Sequence, residues 1–138
     1  MTAANRGLKT MASEQIRVMI VDDHPVVRMG LKTLLESEDD IAVVSLAGSA
    51  EEAFREIARA SPEIVVMDLR MPGVDGVEAV RQIRRRWPAL RILVLTNYQE
   101  DEYISRSIEA GVMGYLLKHM PQEEIVKAIR TLHQHERY

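Results

Sequence analysis

Three acidic side chains follow strand-like apolar runs in this chain of 138 residues. Asp22 and Asp23 come directly after "IRVMIV", and Asp68 comes directly after "IVVM". Adjacent like charges repel each other and resist transfer out of water, so a buried strand gains nothing from them. The pair therefore indicates that a group at the end of this strand requires negative charge.

A hard divalent cation is the group that such carboxylates would bind. If all three lay within a few ångström, they could not all remain ionised unaided, because the pKa of one would rise sharply. Mg²⁺ relieves this repulsion, since it takes oxygen ligands and is typically held by one or two carboxylates plus a phosphate. Thr96 and Lys118 end two further runs and would offer a hydroxyl and an ammonium to that phosphoryl group.

The arrangement of apolar runs predicts the fold that would bring these residues together. Apolar runs alternate with amphipathic stretches along the chain, and the runs are Ile16–Val21, Ile41–Ala47, Ile64–Met67, Arg91–Thr96 and Val112–Leu117. Most are continuous Val, Ile, Leu and Met segments, which is typical of parallel strands covered on both faces. The alternation predicts an α/β protein with a flavodoxin-like, doubly wound, five-stranded parallel sheet of order 2-1-3-4-5 and five helices.

Local signals predict where the intervening helices start. Pro25 suits a first helical turn. Ser49 with Glu52 forms a capping box before the second helix, and Asp75 repeats that device with Glu78 before the third. The fourth helix, predicted at about 101–110, has few apolar residues to bury and should be the least firmly held. The last helix opens at Pro121.

The predicted topology also places the candidate site. In doubly wound sheets, ligands bind outside the carboxyl ends of the strands, where strands one and three are neighbours. Asp22, Asp23 and Asp68 should therefore meet at one edge of the sheet. Thr96 and Lys118 should face them from the next two strands.

Composition limits the classes of protein to which the chain can belong. Hydrophobic residues make up 46% of it, its formal net charge is −3 and it has no cysteine, so one domain without disulfides is expected. We expect a flexible leader at 1–14 and a single domain at 15–138. No apolar run approaches the roughly 20 residues that cross a bilayer, and a cytoplasmic protein without membrane contact is the simplest interpretation. The mildly acidic balance argues against nucleic-acid binding by this segment itself.

From Ile16 to about Arg130 the chain resembles the receiver domains of two-component response regulators. The resemblance rests on the acidic pair, "MDLRMPGVDGVE" around Asp68, Thr96, Tyr115 and the "AGVMGYLLK" approach to Lys118. The segment "LLKHMPQEEIVKAIR" is most similar to regulators whose receiver is followed by a LuxR-type helix-turn-helix. The resemblance implies a switch domain rather than an enzyme.

The resemblance also implies a role for the residues around the acidic pair. Asp68 would be the phosphoacceptor and would take a phosphoryl group from a sensor histidine kinase. Mg²⁺ would be held by Asp23, Asp68 and the backbone carbonyl of Arg70, with Asp22 acting largely through water.

The resemblance also implies roles for three residues on the other side of the phosphate. Lys118 would pair with the phosphate, and Thr96 would move to hydrogen-bond it. Tyr115 would then turn into the space that Thr96 leaves. Many receivers have a proline directly after this lysine, whereas His119 follows Lys118 here.

We expect the signal to leave through the face made by helix four, strand five and helix five, with homodimerisation on phosphorylation. The chain ends at Tyr138, so we expect its output domain to be absent. DNA would then be reached only through that missing domain. A receiver separated from a DNA-binding regulator is the leading interpretation, and a natural single-domain receiver is the second.

Simpler interpretations exist for each residue taken alone. Asp22 or Asp23 could cap the first helix, and Lys118 could be a solvated strand-end lysine. Thr96 could be an ordinary strand residue, and Tyr115 could serve packing. His24 follows the acids and could touch the site, but it is most simply an exposed loop histidine.

Two rival functions remain open on sequence grounds. A Mg²⁺-dependent phosphohydrolase with an aspartyl-phosphate intermediate also uses a strand-end aspartate, but generally needs an acid two residues later, where Arg70 stands. A nucleotide-binding module is less well supported, because no G-x-G-x-x-G or P-loop pattern follows a strand.

As a receiver, the chain should keep its phosphate for a long time, since the side chains of Arg70 and Tyr98 would overhang the pocket and obstruct the water that attacks the phosphate.

Overall fold

The computed structural model describes residues 15–71, 74–97 and 101–134. Strands and helices alternate along them. The strands are β1 (Ile16–Val21), β2 (Ile41–Ala47), β3 (Ile64–Met67), β4 (Arg91–Thr96) and β5 (Gly114–Leu117). The helices are α1 (Pro25–Glu36), α2 (Ala50–Ala60), α3 (Gly76–Arg86), α4 (Asp101–Ala110) and α5 (Gln122–His133). A two-residue antiparallel ladder between Arg70–Met71 and Val74–Asp75 precedes α3.

The strands form one parallel sheet of order β2-β1-β3-β4-β5, which confirms the predicted topology. Its register brings the candidate residues together. Val21 of β1 is paired with Met67 of β3. The next residues in the two strands, Asp22 and Asp68, therefore lie side by side. Thr96 is opposite Leu117, the residue before Lys118. The carboxyl ends of β1, β3, β4 and β5 therefore carry the site.

Two apolar layers cover the sheet, as expected for a doubly wound fold. Side chains alternate along β1, so Met19 packs into the layer that contains Ile83 of α3, whereas Ile20 packs into the layer that contains Ile129 of α5. All four side chains are fully buried. Continuous burial on both faces explains why the strands lack polar alternation.

The start of the last strand differs from its prediction. It begins at Gly114 rather than Val112. The Val112 amide bonds back to the carbonyl of Ser107 in α4, at 3.1 Å, and is therefore not available to the sheet.

Neither of the two predicted capping boxes forms in full. Ser49 accepts from the Glu52 amide at 3.1 Å, as predicted for α2, but the Glu52 carboxylate accepts from the Gly48 amide at 3.2 Å, one residue before the N-cap. At α3, Asp75 accepts from the Val77 amide at 3.0 Å, whereas the carboxylate of Glu78 faces Arg81 instead of reaching back to the helix start. A pairing within the helix has replaced the second half of the box.

Helix α4 buries even less apolar surface than its sequence predicts. Ile108, whose spacing from Ile104 would place it on the face towards the core, is 45% exposed. The buried position one residue earlier is a serine, and the hydroxyl of Ser107 donates to the carbonyl of Ile104 at 2.9 Å within the helix. Sparse apolar burial is a feature of segments that shift at low cost in free energy.

Gly76 should be required for the turn that follows the acidic end of β3. A Cβ added at this position would lie 2.0 Å from the carbonyl oxygen of Leu69. We expect Gly76→Ala to destabilise the domain by about 1–3 kcal/mol, as overpacking in a close contact does. Gly30→Ala is the matched control, since Gly30 lies on the exposed side of α1 and a Cβ added there would meet nothing within 4 Å. Urea unfolding that gave both variants wild-type stability or better would contradict this requirement.

Within the described residues, no helix has the length and apolarity that a membrane crossing requires.

Candidate functional site

One ammonium group joins the acids of two strands at the carboxyl edge of the sheet. Lys118 Nζ lies 2.7 Å from Asp68 Oδ2 and 2.9 Å from Asp22 Oδ2. The side chains of Asp22 and Asp68 are only 3% and 7% exposed, and that of Lys118 is 17% exposed. Residues from β1, β3 and β5 thus converge as the sequence predicts.

Backbone hydrogen bonds hold the residues that carry these charges. The amide of Asp68 donates to the carbonyl of Val21 and the amide of Asp22 donates to that of Ala47, both at 3.0 Å. The amide of Lys118 donates to the carbonyl of Thr96 at 2.8 Å. The sheet ladder therefore extends one residue past β1, β3 and β5, and these bonds fix the backbone of the site.

The carboxylate of Asp22 is fully engaged by neighbours. Its Oδ1 atom accepts from the backbone amide of His24 at 2.9 Å and lies 3.0 Å from the His24 Nδ1 atom, while Oδ2 accepts from Lys118. Burial alone would raise the pKa of Asp22, but the hydrogen bonds from His24 and Lys118 outweigh it and hold that pKa below its usual value. Asp22 is thus ionised and held in place at neutral pH.

Neither Asp22 nor Asp23 is the N-cap residue of α1, which was the simpler interpretation of these acids. His24 is the N-cap residue of α1, and its side chain makes no capping hydrogen bond. Asp22 bonds the amide of the N-cap residue itself, while Pro25 occupies the first helical turn as its sequence position predicts. The pair is therefore directed towards the sheet edge rather than into the helix.

Asp23 carries the feature that fits a metal ion. Its Oδ1 atom is buried and accepts no hydrogen bond from the described residues, although His24 Nδ1 lies 3.1 Å away. A buried carboxylate oxygen without a partner is costly in free energy, and a cation would satisfy it. The oxygen-rich set of Asp22, Asp23 and Asp68 is the kind of donor set that Mg²⁺ takes.

Lys118 stabilises the acids in the absence of a metal ion. Burial alone would lower the pKa of Lys118, but its hydrogen bonds to Asp68 and Asp22 outweigh this and raise the pKa above its usual value. The ammonium therefore stays charged across the physiological range. It is not the solvated strand-end lysine of the simpler interpretation.

The depressed pKa of Asp22 predicts how acid acts on the metal-free domain. In the unfolded chain the pKa of Asp22 is near 3.8, and in the native state it is lower, so the native state binds fewer protons. The ionised Asp22 carboxylate therefore adds to the free energy of unfolding above about pH 4. This contribution is lost as the pH falls through the lower native pKa. In Lys118→Gln the free energy of unfolding should depend less on pH in this range, because the ammonium that keeps Asp22 ionised is gone.

Chemical unfolding at several pH values between 5 and 2.5 in the presence of a chelator would measure this effect. Lys32→Gln is the matched control, since Lys32 pairs with Glu36 on the surface of α1, away from the acids of the site. An equal pH slope in Lys118→Gln and Lys32→Gln would contradict the coupling of Lys118 to Asp22.

Thr96 and Tyr115 lie on adjacent strands and on one face of the sheet. Thr96 is completely buried at the end of β4. Tyr115 lies opposite Val94, which is two residues before Thr96 and therefore on the same face. Tyr115 is partly buried against the apolar layer that includes Val94. The two side chains thus lie on one face of adjacent strands, two residues apart in register, and their joint role stays a prediction.

Arg70, one of the two residues expected to overhang the site, lies beside its opening. It is exposed and lines an open cleft of about 510 Å³ together with Asp23 and Tyr103. Its amide donates to Asp68 Oδ1 at 3.0 Å. Tyr98, the second of the two, lies outside the described residues, so the expected shielding of the phosphate stays a prediction.

His24 is exposed, as predicted for a loop histidine, and its ring also reaches the acids, which is the alternative that the sequence left open. Its side chain is 62% exposed, as a loop histidine should be, yet Nδ1 lies 3.0 Å from Asp22 Oδ1 and 3.1 Å from Asp23 Oδ1. The signal was its adjacency to the acids in "DDH". Adjacency alone did not show whether the ring would turn towards the acids or towards solvent.

Comparison with known proteins decides the family. The chain matches the response regulator receiver domain over residues 18–130. It belongs to that family. The receiver domain is 44% identical over 116 residues to the transcriptional regulatory protein LiaR of Bacillus subtilis (strain 168), an alignment that covers 84% of this chain and 55% of LiaR. It is 38% identical to the response regulator GacA of Pseudomonas viridiflava, covering 89% of this chain and 58% of GacA.

Solved structures agree with the family and with the fold. A LuxR-family two-component response regulator from Aurantimonas sp. SI85-9A1 is 42% identical, with a TM-score of 0.85 over 89% of this chain and 88% of that one. The isolated receiver of RcsB from Salmonella enterica serovar Typhimurium, solved with the phosphomimetic BeF₃⁻, is 27% identical with a TM-score of 0.84 over 90% and 92%.

These relatives confirm the predicted resemblance to receivers of LuxR-type transcriptional regulators. None of these relatives supports the phosphohydrolase alternative. The receiver domain spans little more than half the length of the two curated relatives, 55% and 58%.

Proposed function

We propose that Asp68 accepts a phosphoryl group from the phosphohistidine of a sensor kinase in a Mg²⁺-dependent reaction, and that the receiver domain thereby acts as a switch. The observation that carries this proposal is the placement of the Asp68 carboxylate. It is 7% exposed at the end of central strand β3, with Lys118 Nζ at 2.7 Å and, at the same edge, the buried Asp23 oxygen that accepts no hydrogen bond from the described residues.

The chemical step uses Asp68 as a nucleophile. A carboxylate oxygen of Asp68 would attack phosphorus, and the phosphorus–nitrogen bond to the donor histidine would break with its electron pair remaining on the imidazole. The Arg70 amide, which donates to Asp68 Oδ1 at 3.0 Å, orients the carboxylate. Lys118 is close enough to Asp68 to transfer its hydrogen bond to the arriving phosphate.

The metal would be held by Asp23, Asp68 and the backbone carbonyl of Arg70, with Asp22 acting through water. When bound, Mg²⁺ supplies positive charge that screens the incoming phosphate from the acids. Asp23 is suited to direct ligation because its buried Oδ1 lacks a hydrogen-bond partner among the described residues. Asp22 is suited to an indirect role, because its carboxylate already accepts from His24 and Lys118.

The switch would act through the strands that end beside the phosphate. Thr96 would donate its hydroxyl to a phosphate oxygen, and Tyr115 would follow on the same face of the sheet. Helix α4 lies between β4 and β5 in the chain, and its poor apolar burial, with Ile108 largely exposed, supports its displacement. The signal would leave through α4, β5 and α5, and phosphorylated domains would form homodimers.

The wider setting is proposed from the relatives. LiaR is named as a transcriptional regulatory protein, and a complex of RcsB with DNA has been solved. We infer that this receiver controls transcription in the cytoplasm, and that DNA is contacted by an output domain rather than by residues 15–138. The leader expected at 1–14 lies outside the described residues.

Labelling by a small acyl phosphate tests the proposed function against the hydrolase. The domain is incubated with Mg²⁺ and the donor, and intact mass is followed over time. A receiver gains one phosphate per chain and releases little free phosphate before the label decays. In a parallel incubation with a generic phosphomonoester and Mg²⁺, rapid and continuing release of phosphate would instead favour the phosphohydrolase.

A further inference from the structure

We propose that the receiver domain has a second binding site, a groove that takes small aromatic carboxylates at the edge of the sheet opposite the acids. The groove lies at the amino ends of β3 and β4, whereas Asp22 and Asp68 follow the carboxyl ends of their strands. Its volume of about 580 Å³ is in the range of sites that enclose a small molecule. The proposal goes beyond the phosphoacceptor function and does not depend on it.

The lining of the groove is mostly apolar. It comes from the end of α2 and the loop that follows, from the turn between α3 and β4, and from the last turn of α5. Among the lining residues Ile57 and Leu90 are buried, and the partly buried Trp87 adds an indole ring. Such a lining favours a flat apolar body over a polar one.

Arg86 gives the groove a positive charge that is held in place. The Cζ atom of its guanidinium lies 4.6 Å from the centre of the Trp87 ring and 5.4 Å from that of the Phe54 ring. Both distances are within the range of cation–π attraction, which restricts an otherwise flexible side chain. Within the described residues this guanidinium has no carboxylate partner. Its N–H donors are therefore available to an anion in the groove.

The other charged groups of the groove leave Arg86 available. Among the described residues that line it, Glu63 is the one acid. The Glu63 carboxylate is hydrogen-bonded to His133 Nδ1 and lies 3.6 Å from Arg91 Nη1, so that its charge is offset locally. Two arginines against one glutamate leave the lining positively charged, which is complementary to one carboxylate.

These features select the ligand by its chemistry. A guanidinium binds a carboxylate through two parallel N–H···O bonds, which fix the orientation of the head group. An aromatic body of one or two rings would then pack against the indole and the buried aliphatic side chains. One fixed cation beside an apolar surface therefore suits a molecule with a single anionic end.

The test is an NMR titration with 3-phenylpropionate, for which the uncharged 3-phenylpropionamide is the matched ligand. The indole N–H signal reports binding at the groove, because Trp87 is the only tryptophan of the chain. Wild type is compared with Arg86→Gln, which should remain folded because Arg86 is exposed. Arg85→Gln is the matched control, since Arg85 is the preceding exposed arginine of α3 and is not among the lining residues.

We expect 3-phenylpropionate to shift the Trp87 signal saturably and to bind more tightly than the amide. Arg86→Gln should weaken binding of the acid about ten-fold and binding of the amide by less than about two-fold, because only the acid loses a charge-assisted hydrogen bond. Arg85→Gln should leave both affinities unchanged.

Equal affinity for acid and amide, equal losses in the two variants, or the lack of a saturable shift would overturn the proposal. So would a Trp87 signal that changes with protein concentration in the absence of ligand, because a second copy of the domain would then cover the groove.

Discussion

Asp68→Asn should abolish phosphorylation of the receiver domain by both a kinase and a small acyl phosphate, while the fold is retained. An amide is not a competent nucleophile towards phosphorus, so the loss should be complete rather than partial. The side chains have the same shape, and the amide oxygen still accepts from Lys118 or from the Arg70 amide, which lie 2.7 and 3.0 Å from the native carboxylate.

Intact mass after incubation with donor and Mg²⁺ measures this result. Asp39→Asn is the matched control, because Asp39 is a partly buried aspartate just before β2, at the opposite edge of the sheet. We expect Asp39→Asn to be labelled at the wild-type rate. Stoichiometric, stable labelling of Asp68→Asn at that rate would exclude Asp68 as the phosphoacceptor.

Asp23→Asn should weaken Mg²⁺ binding about ten-fold or more and slow phosphorylation correspondingly. The substitution removes the charge of the carboxylate whose buried oxygen has no hydrogen-bond partner in the described part of the chain. Asp22 cannot replace it without giving up its bonds to His24 and Lys118. Wild-type binding should itself be weak, because two carboxylates and a carbonyl leave half of the octahedron to water.

Amide chemical shifts during a Mg²⁺ titration measure the affinity near the site. Asp75→Asn is the matched control, since Asp75 lines the same open cleft as Asp23 but its carboxylate caps α3 and faces Arg106. Asparagine is also a good N-cap, so that variant should remain folded. Similar Mg²⁺ affinity in wild type and Asp23→Asn would contradict direct ligation by Asp23.

The order of the strands and the meeting of the charged residues could be predicted from the sequence because both follow from periodicity and topology. Continuous apolar runs identify parallel strands, and the flavodoxin-like order then places Asp22 and Asp68 on neighbours. The pairing of Val21 with Met67 and of Thr96 with Leu117 is what this argument requires. No side-chain detail was needed.

The features that the sequence could not decide depend on contacts between segments or on rotamers. Val112 continues the apolar run of β5, but its amide is taken by Ser107 of α4 instead of the sheet. Ile108 has helical spacing for burial, yet it is 45% exposed, and the buried position is that of Ser107, one residue earlier. His24 turns its ring to the acids, and nothing in the residue order fixes that rotamer.

Reduction of the phosphorylated domain with borohydride, followed by peptide mass spectrometry, tests the central claim most directly. Reduction converts an aspartyl phosphate to homoserine and leaves unmodified carboxylates intact. We predict homoserine at position 68 alone, in proportion to the phosphate bound. Homoserine at position 22 or 23, or phosphate that resists reduction because it is carried by His24 or a hydroxyl, would contradict the assignment of Asp68 as the residue that receives the signal.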